Sequence, residues 1–576
     1  MPGAKTWPIP DRRLPGGQRR VMKNQKVMML MLATVIVSAA GGVTSVSAVQ
    51  LKKLQNDGKE LAILDPREEG TYGSGHLLHA VNIPLSKLEL NVDSLVPRLS
   101  TRIVLADGGE GTAERAAVRL QELGYTNVAV LKGGYRAWKK AGYEIFSGMS
   151  VPGKAFGEWI AVHYNTPQIT AEDLHRKIVN GENVLILDSR PANEYADMNI
   201  PGSINVPGSE LVYRFPELGV KPETLVVVNC AGRTRSIIGA QSLINAGVKN
   251  KVVALNGGTM AWQTSGFELE HGSKRDAPKP SEQHFQQALE AAQKVADRYG
   301  VKTIDAQTLA TFKADKDRTV YLIDLRTPEE YRAGHRPDSS YGWGVQLVQG
   351  MDKYAATRHA RIVLVDNYLV RALMTASWLV QADWPETYVL ADPFRGVELT
   401  SGDYKPVSLG LSKQTLPAID AAKLREMLNT NSATVVDAAD SSSYAKGHIP
   451  GAWFVIRARL GESINRMPLS ENLVVTGNNA TLAALTAQDL ARLTGKSVSV
   501  LAGGNAAWQK AGLPMKSGME RPGTQVDDIF VQPFLWGQLD PASAEFRKAA
   551  DDYLAWELQL PAQLERAKET DFKLVK

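Results

Sequence analysis

Short apolar runs that end in aspartate recur along this chain at intervals the size of a small domain. Runs of this composition and length are typical of buried strands. There are four of them, at residues 61–65, 184–188, 320–324 and 434–437. Their closing residues, 123, 136 and 113 positions apart, are Asp65, Asp188, Asp324 and Asp437. A repeat of this period indicates four copies of one folding unit.

Each copy continues with the same order of predicted elements. A polar turn and a short helix with acidic and aromatic residues lead to a second apolar strand, a helix and a third strand. A glycine pair and then a tryptophan close three of the copies, at Trp138, Trp262 and Trp508. The third copy keeps only a vestige of this ending at residues 393–396. Glycines and a tryptophan at fixed spacing are predicted to define the fold rather than to bind a ligand.

Strands that alternate with helices at this pitch predict an α/β fold, with small, mostly parallel sheets flanked by helices on both faces. We place the four domains at residues 49–150, 160–272, 300–405 and 415–520, and call them domains 1 to 4. A helical tail is expected over residues 521–576, with a helix near residues 542–560 that ends at Pro561 and packs back on a domain, a partner-binding helix being the alternative. The histidines that follow the short helix in three copies are predicted to brace a turn: His76, His335 and His448.

The net charge of +5 comes from the first residues of the chain. Residues 1–48 hold seven basic residues against Asp11, so the remainder is close to neutral, which excludes a nucleic-acid-binding surface built on charge. Basic residues before an apolar stretch at 27–40 predict a signal peptide over 1–48, cleaved after Ala48. The alternative, an uncleaved anchor, is disfavoured because about 20 apolar residues are needed to span a membrane. We therefore expect an exported protein of the bacterial periplasm, with no stable membrane insertion.

Cys230 is the only cysteine among the 576 residues, and it lies directly after an apolar strand. The loop that follows carries a glycine and two arginines, Arg233 and Arg235, and a helix is predicted over residues 237–246. Backbone N–H groups and a helix N-terminus favour a thiolate and would hold an anion beside it. A lone cysteine is often a small buried apolar residue, but two arginines beside it would be costly to bury without partners.

The other three copies lack a thiol at the position of Cys230. Aligned on the second strand, they carry Asp107, Asp366 and Gly477 there. None of these residues can act as a nucleophilic thiol, and an aspartate would repel an anion bound in the loop. We therefore expect the chemistry to belong to domain 2 and domains 1, 3 and 4 to be inactive.

These motifs together resemble the rhodanese family of sulfurtransferases, over about 470 residues as four tandem domains. The resemblance implies that Cys230 takes the outer sulfur of an anionic donor such as thiosulfate and passes it to cyanide or a thiol, with a protein acceptor as a further option. It also implies a substrate-binding loop formed by Ala231, Gly232, Arg233, Thr234, Arg235 and Ser236. For Arg233, a solvated loop charge is the alternative. Asp188 and Arg190 are expected to form a structural ion pair near the site, and neither a metal ion nor a cofactor is expected.

Three alternatives follow from the same residues. Phosphatases and arsenate reductases use a similar loop with five residues between cysteine and arginine, whereas four separate Cys230 from Arg235 here, which favours sulfur transfer. The donor could be 3-mercaptopyruvate, although two arginines suit a dianion better. The array could instead serve mainly as a scaffold or sulfur-carrier and binding protein, because three of its four domains lack the thiol.

Overall fold

The computed structural model describes residues 42–412, 416–530, 540, 543–570 and 572–574. Residues from 45 onward belong to one compact unit. Most of the predicted signal peptide lies outside the described residues. Ser47 caps the first helix of domain 1 through the N–H of Gln50, and Ala48 is buried in that helix. Cleavage after Ala48 would therefore remove this helix cap.

Four sheets form the framework, and all share one strand order, in which the first strand of the domain is followed by the fifth, fourth, second and third. Neighbouring strands within domains 2, 3 and 4 pair in parallel. Domain 1 has strands Thr44–Val46, Leu61–Asp65, Ala80–Asn82, Ile103–Leu105 and Val128–Leu131. Domain 2 has strands Gln168–Ile169, Val184–Asp188, Ile204–Asn205, Leu225–Asn229 and Val252–Leu255. Domain 3 has strands Lys302–Ile304, Val320–Asp324, Ser340–Tyr341, Arg361–Val365 and Thr387–Leu390, and domain 4 has strands Ala418–Ile419, Ala433–Asp437, Trp453–Phe454, Asn472–Thr476 and Ser497–Leu501.

Helices cover both faces of these sheets, as the alternating pattern predicts. Domain 1 carries Ala48–Gln55, Glu69–Ser74, Leu88–Leu95, Thr112–Glu122 and Gly134–Lys140, and domain 2 carries Ala171–Val179, Ala192–Asp197, Leu211–Arg214, Thr234–Asn245 and Gly258–Thr264. Domain 3 carries Ala306–Ala314, Pro328–Ala333, Gly344–Leu347 and Val370–Gln381, and domain 4 carries Ala421–Asn429, Ser441–Lys446, Leu460–Ser463, Ala480–Thr494 and Gly504–Lys510. Between and after the domains lie Val151–His163, Glu282–Tyr299 and Ala544–Ala567. None of the helices in the described part of the chain is long and apolar enough to cross a membrane.

The repeated tryptophans and histidines have the packing roles predicted for them. Each indole N–H donates to a carbonyl six residues later, at 2.8–2.9 Å, from Trp138, Trp262 and Trp508. Each histidine stacks on a tyrosine four residues earlier, with ring centroids 3.8–4.0 Å apart, in the pairs Tyr72–His76, Tyr331–His335 and Tyr444–His448. These contacts hold the turns of each repeat in place.

The domains are joined by buried ion pairs and one shared strand. Arg371 of domain 3 donates to Glu210 of domain 2 at 3.0 Å, and Arg457 of domain 4 donates to Glu89 of domain 1 at 2.8 Å. A two-residue strand, Thr357–Arg358, pairs antiparallel with Leu61 and Ala62 of domain 1. The four repeats are therefore held in one compact unit rather than strung along a linker.

The C-terminal helix runs from Ala544 to Ala567 and passes through Pro561, so the prediction that it ends at Pro561 is wrong. Proline removes the N–H that would bond to the carbonyl of Glu557. Leu560 and Leu564 are both buried in a cluster with Phe146 of domain 1, and this packing outweighs the lost hydrogen bond. The predicted packing of the tail on the domains is confirmed. The apolar residues 534–536 of the tail lie outside the described residues.

Candidate active site

Cys230 lies directly after strand Leu225–Asn229, at its carboxyl end as predicted, and only 2% of its surface is exposed. Its carbonyl accepts hydrogen bonds from the N–H of Thr259 at 2.8 Å and from the Thr259 hydroxyl at 3.0 Å. Gly258 has a φ of +57°, and a Cβ there would overlap the Cys230 carbonyl. Gly258, the second glycine of the repeated pair, therefore allows the turn at this pair to approach the backbone of Cys230 closely.

The loop after Cys230 ends in the N-terminus of helix Thr234–Asn245. The carbonyl of Ala231 accepts from the N–H of Met260 at 3.1 Å, and the buried Ser236 hydroxyl donates to the carbonyl of Arg233 at 2.7 Å. These bonds curl residues 231–236 around the cysteine. The first N–H groups of a helix have no partner within the helix, so they and the helix dipole favour a negative charge here.

The equivalent loops of domains 1 and 3 hold a negative charge of their own. The Asp366 carboxylate accepts the N–H groups of the residues two, five and six positions later, at 3.0–3.3 Å: Tyr368, Arg371 and Ala372. The Asp107 carboxylate accepts those two and six positions later, at 2.8 and 3.0 Å: Gly109 and Ala113. In domain 2 the corresponding N–H groups belong to Gly232, Arg235 and Ser236. A loop of this form therefore binds a carboxylate through its backbone N–H groups.

The same backbone contact in domains 1, 2 and 4 supports the predicted equivalence of Cys230 with Asp107 and Gly477. The carbonyl of each residue accepts an N–H from the turn that follows the glycine pair. The bonds measure 2.8 Å from Tyr135 to Asp107 and 3.3 Å from Asn505 to Gly477, against 2.8 Å at Cys230. Asp366 follows its strand Arg361–Val365 in the same way.

Arg235 is a largely buried cation that interacts electrostatically with both Glu194 and Cys230. Its guanidinium donates two hydrogen bonds of 2.9 Å to the carboxylate of Glu194. Burial lowers the pKa of Arg235, but the charge of Glu194 outweighs it and the pKa is raised, with a further contribution from Cys230. Its Nε has no hydrogen-bond partner among the described residues. A cavity of about 40 Å³ between domains 2 and 3 reaches this side chain.

Arg233 has a different environment, because it forms a buried ion pair. Its guanidinium donates to both oxygens of Glu158, at 2.7 and 2.8 Å, and also to Asn256. Only 5% of Arg233 is exposed, so the alternative of a solvated loop charge is wrong. Glu158 comes from helix Val151–His163, and sequence reasoning could not pair two residues so far apart in the chain. The side chain of Arg233 holds the loop in place, and its backbone remains part of the loop.

Asp188 and Arg190 form the ion pair expected of them, at 2.7 Å, and both are buried. Asn229, the residue before the cysteine, donates to Asp188 at 2.9 Å. The same pairing recurs at 2.6 Å in domains that have no thiol, as Asp65–Arg67 and Asp324–Arg326. A contact shared with thiol-free domains is structural, and here it orients the strand that carries Cys230.

The C-terminal helix supplies a wall of the site that the sequence did not reveal. A methyl group placed on Gly232 would lie 3.6 Å from Oε2 of Glu557 and 3.7 Å from the ring of Tyr553. Lys154, from helix Val151–His163, lies 5.0 Å from the centre of the Tyr553 ring. Tyr553 and Glu557 are four residues apart on one helical face, but nothing in that spacing refers to a loop more than 300 residues earlier. Within the described residues there is no group of three or more His, Cys, Asp or Glu side chains suited to a metal ion.

Comparison with known proteins shows which family these domains resemble. The sequence profile of the "Rhodanese-like domain" matches residues 47–141, 170–265 and 420–511. The crystal structure of thiosulfate sulfurtransferase from Pseudomonas aeruginosa is 41% identical, covers 93% of this chain and 100% of its own, and superimposes with a TM-score of 0.88. A sulfurtransferase of Allochromatium vinosum is 28% identical over 102 residues, which are 18% of this chain and 92% of that protein.

A further match covers only part of each protein. The HTH-type transcriptional regulator Rv0324 of Mycobacterium tuberculosis is 31% identical over 105 residues, which are 18% of this chain. The match covers 45% of that regulator, so this chain spans about half the length of some of the curated relatives it matches. The similarity there lies in a single domain of the kind that this chain repeats.

Proposed function

Because this chain belongs to the rhodanese family of sulfurtransferases, we propose that it transfers sulfane sulfur from thiosulfate to cyanide or a thiol through Cys230. The Cys230 thiolate attacks the outer sulfur of thiosulfate. A sulfur–sulfur bond forms at Cys230 as the one within thiosulfate breaks, and sulfite leaves with the bonding electron pair. The acceptor then attacks the outer sulfur of the persulfide and releases the thiolate, which balances the cycle without an external oxidant or reductant.

One observation carries this proposal. The single thiol of the chain occupies the position at which two sister domains hold a carboxylate by loop N–H groups. A loop that binds a negative charge there stabilises the thiolate and the persulfide, and its rim suits the sulfonate of the donor. The Pseudomonas aeruginosa relative, named a thiosulfate sulfurtransferase, supports thiosulfate as the donor.

Domains 1, 3 and 4 are proposed to be catalytically silent. Asp107 and Asp366 occupy their own loops with a carboxylate, and Gly477 offers no side chain. Domain 3 nevertheless contributes to the active domain, because Gln346 donates to Glu194 at 3.1 Å and so fixes the partner of Arg235. Its role is to build the site in domain 2 rather than to run a second reaction.

The mass of the intact protein tests the proposal. After incubation with thiosulfate the mass should rise by one sulfur atom, and cyanide should remove the increase. Because Cys230 is the only cysteine, Cys230→Ser should show no adduct and no turnover. Sulfur transfer that survives this substitution would contradict the proposal. Hydrolysis of p-nitrophenyl phosphate by the wild type, lost in Cys230→Ser, would favour the phosphatase alternative instead.

The scaffold alternative makes a different prediction. A protein that acts only by binding should take up no sulfur from thiosulfate or 3-mercaptopyruvate, and Cys230→Ser should still bind the same partner protein as the wild type.

We also propose that the chain is exported to the periplasm, because its leader is basic and then apolar. N-terminal sequencing of the protein from a periplasmic fraction checks this, and an intact leader in the cytosolic fraction would contradict it.

A further inference from the structure

Glu557 of the C-terminal helix presents an unpartnered carboxylate oxygen to the Cys230 loop. The residue is 2% exposed, and its Oε1 accepts the Tyr553 hydroxyl at 2.8 Å. Its Oε2 has no hydrogen-bond partner among the described residues and is the polar atom nearest to a Cβ built on Gly232, at 3.6 Å. A buried acceptor atom without a partner costs free energy. Its position therefore calls for a ligand or a proton that the chain itself does not supply.

The helix that carries Glu557 is fixed, so this oxygen is held in place at the loop. Arg566 and Glu569, beyond it, bond to Glu144 and Lys52 of domain 1, each at 2.9 Å. On the other side, Phe546 and Ala550 pack against Met260, the residue that donates to the carbonyl of Ala231. Both halves of the helix are anchored, and the segment between them forms a wall over the loop rather than a mobile cover.

The charges around Glu557 come from three elements. Lys154 and Glu158 face it from helix Val151–His163, Arg233 faces it from the loop, and Tyr553 lies on its own helix. Burial raises the pKa of Glu557, and the charge of Lys154 opposes that rise. A carboxylate with a raised pKa is a stronger base than an exposed one and takes up a proton more readily near neutral pH.

The two half-reactions of sulfur transfer differ in their need for such a base. Thiosulfate and sulfite carry no proton that must be removed, whereas a thiol acceptor must lose its proton before its sulfur attacks the persulfide. We propose that Glu557 takes the proton of the thiol acceptor at the Cys230 persulfide, an inference that rests on the proposed function. Glu557 therefore serves the acceptor half-reaction and leaves the donor half-reaction unassisted.

The step balances in atoms and charge. The acceptor sulfur–hydrogen bond breaks, and its proton passes to the Glu557 carboxylate. The acceptor sulfur then attacks the outer sulfur of the anionic persulfide, the bond to Sγ of Cys230 breaks, and the thiolate leaves. The products are an acceptor persulfide anion, the Cys230 thiolate and a neutral Glu557, which returns its proton to the solvent.

The test separates the half-reactions in Glu557→Gln, a substitution that keeps the shape of the side chain and removes its basicity. Persulfide-loaded protein is mixed with dithiothreitol or with sulfite, and loss of the sulfur adduct is followed by intact mass. We expect discharge to dithiothreitol to slow by about 100-fold or more, within the 10²–10⁴-fold range typical of general base catalysis. Discharge to sulfite should be unchanged or faster, because the variant lacks a negative charge beside an incoming anion.

Two further variants exclude a merely structural effect. The Tyr553 hydroxyl bonded to Oε1 lowers the pKa of Glu557. Tyr553→Phe removes this hydroxyl and so raises that pKa, and the pH profile for dithiothreitol should move to higher pH. Lys548→Ala, an exposed position on the same helix, should match the wild type with both acceptors. Equal slowing with both acceptors in Glu557→Gln, or no slowing with either, would overturn the proposal. If the wild type forms no persulfide, the proposed function itself has failed, which is a distinct result.

Discussion

Gln346 of domain 3 donates a 3.1 Å hydrogen bond to Glu194 of domain 2, the carboxylate that holds Arg235. A related contact exists in the opposite direction, because Glu210 of domain 2 accepts a hydrogen bond from Arg371 of domain 3. Glu210 and Gln346 lie at equal distances after the strand aspartates Asp188 and Asp324, and Arg235 and Arg371 at equal distances after Cys230 and Asp366. Domains 2 and 3 thus face each other in a reciprocal arrangement, and only one side carries a thiol.

The fork geometry of Arg235 should matter more than its charge. Arg235→Lys retains a cation but cannot make two parallel bonds to Glu194 while an Nε–H remains for the donor. Charge-assisted hydrogen bonds contribute roughly 1.5–3 kcal/mol, so kcat/KM for thiosulfate should fall by about 10- to 100-fold. Steady-state kinetics measure it, with Arg176→Lys, an exposed position on another helix of domain 2, as the control. An unchanged kcat/KM would show that Arg235 does not contact the donor.

Arg371 should be a stability residue and not a catalytic one. It is 1% exposed and contacts three carboxylates, those of Asp366, Glu210 and Glu330. Arg371→Met leaves these buried charges without their cation, and breaking a buried pair typically costs about 3–5 kcal/mol. We expect the first transition in urea unfolding to shift to lower urea accordingly. Arg492→Met, at an exposed pair on helix Ala480–Thr494, should change little. A stable Arg371→Met protein would mean that the carboxylates are protonated or hydrated.

The repeats made much of this fold predictable from sequence. The strand aspartates, the glycine pairs and the tryptophans mark fixed points of each domain, so the position of Cys230 and its counterparts follows from alignment of the copies. The helix after Cys230 begins at Thr234 and not at residue 237, because the loop N–H groups already belong to its first turn. A residue-type pattern does not show where a loop ends and a helix begins.

Contacts between distant parts of the chain could not be predicted in this way. Three contacts at the site join elements from different domains or linkers: Glu158 with Arg233, Gln346 with Glu194, and Glu557 with Gly232. Nothing in the local sequence marks these residues, because each is an ordinary polar residue on an ordinary helix or turn. The continuation of the tail helix through Pro561 has the same origin, since burial of Leu560 and Leu564 decides it.

Lys154 should impose a pH dependence on the donor half-reaction. Burial lowers the pKa of Lys154 to about 8, and the charge of Arg235 adds to this effect. Below pH 8 the ammonium adds a positive charge near the site, and above it the charge is lost, so the donor is held less well. Persulfide formation should therefore fall relative to Lys154→Arg as the pH rises through about 8, by roughly tenfold, which corresponds to about 1.4 kcal/mol.

The ratio of the wild-type rate of persulfide formation to the Lys154→Arg rate isolates this effect, because the ionisation of Cys230 affects both proteins alike. Rapid-mixing measurements with thiosulfate at several pH values provide it, and Lys154→Met should show the low ratio at every pH. Lys139→Arg, an exposed position in domain 1, controls for the substitution itself. A ratio that is constant between pH 6.5 and 9.5 would mean that Lys154 does not act on the donor.

Glu68 should make the protein less stable as the pH rises from acid to neutral. This residue is 3% exposed, and burial raises its pKa to about 7, although the Ser86 hydroxyl at 3.0 Å opposes the shift. The folded protein therefore keeps a proton that the unfolded chain loses near pH 4.5. Stability falls between these two values and stays reduced above pH 7, by a total on the order of 3 kcal/mol.

Glu68→Gln mimics the protonated form at every pH, and this makes the prediction specific. Urea unfolding at pH 8 should show the variant to be more stable than the wild type, because the cost of a buried charge is gone. At pH 4.5 the folded side chain is neutral and only half of the unfolded side chains are ionised, so the difference in stability should shrink to about 0.4 kcal/mol. Glu471→Gln, whose side chain is 91% exposed, should have no comparable effect at either pH. A variant that is less stable than the wild type at pH 8 would show instead that Lys87 and Arg459 stabilise the ionised carboxylate more than burial destabilises it.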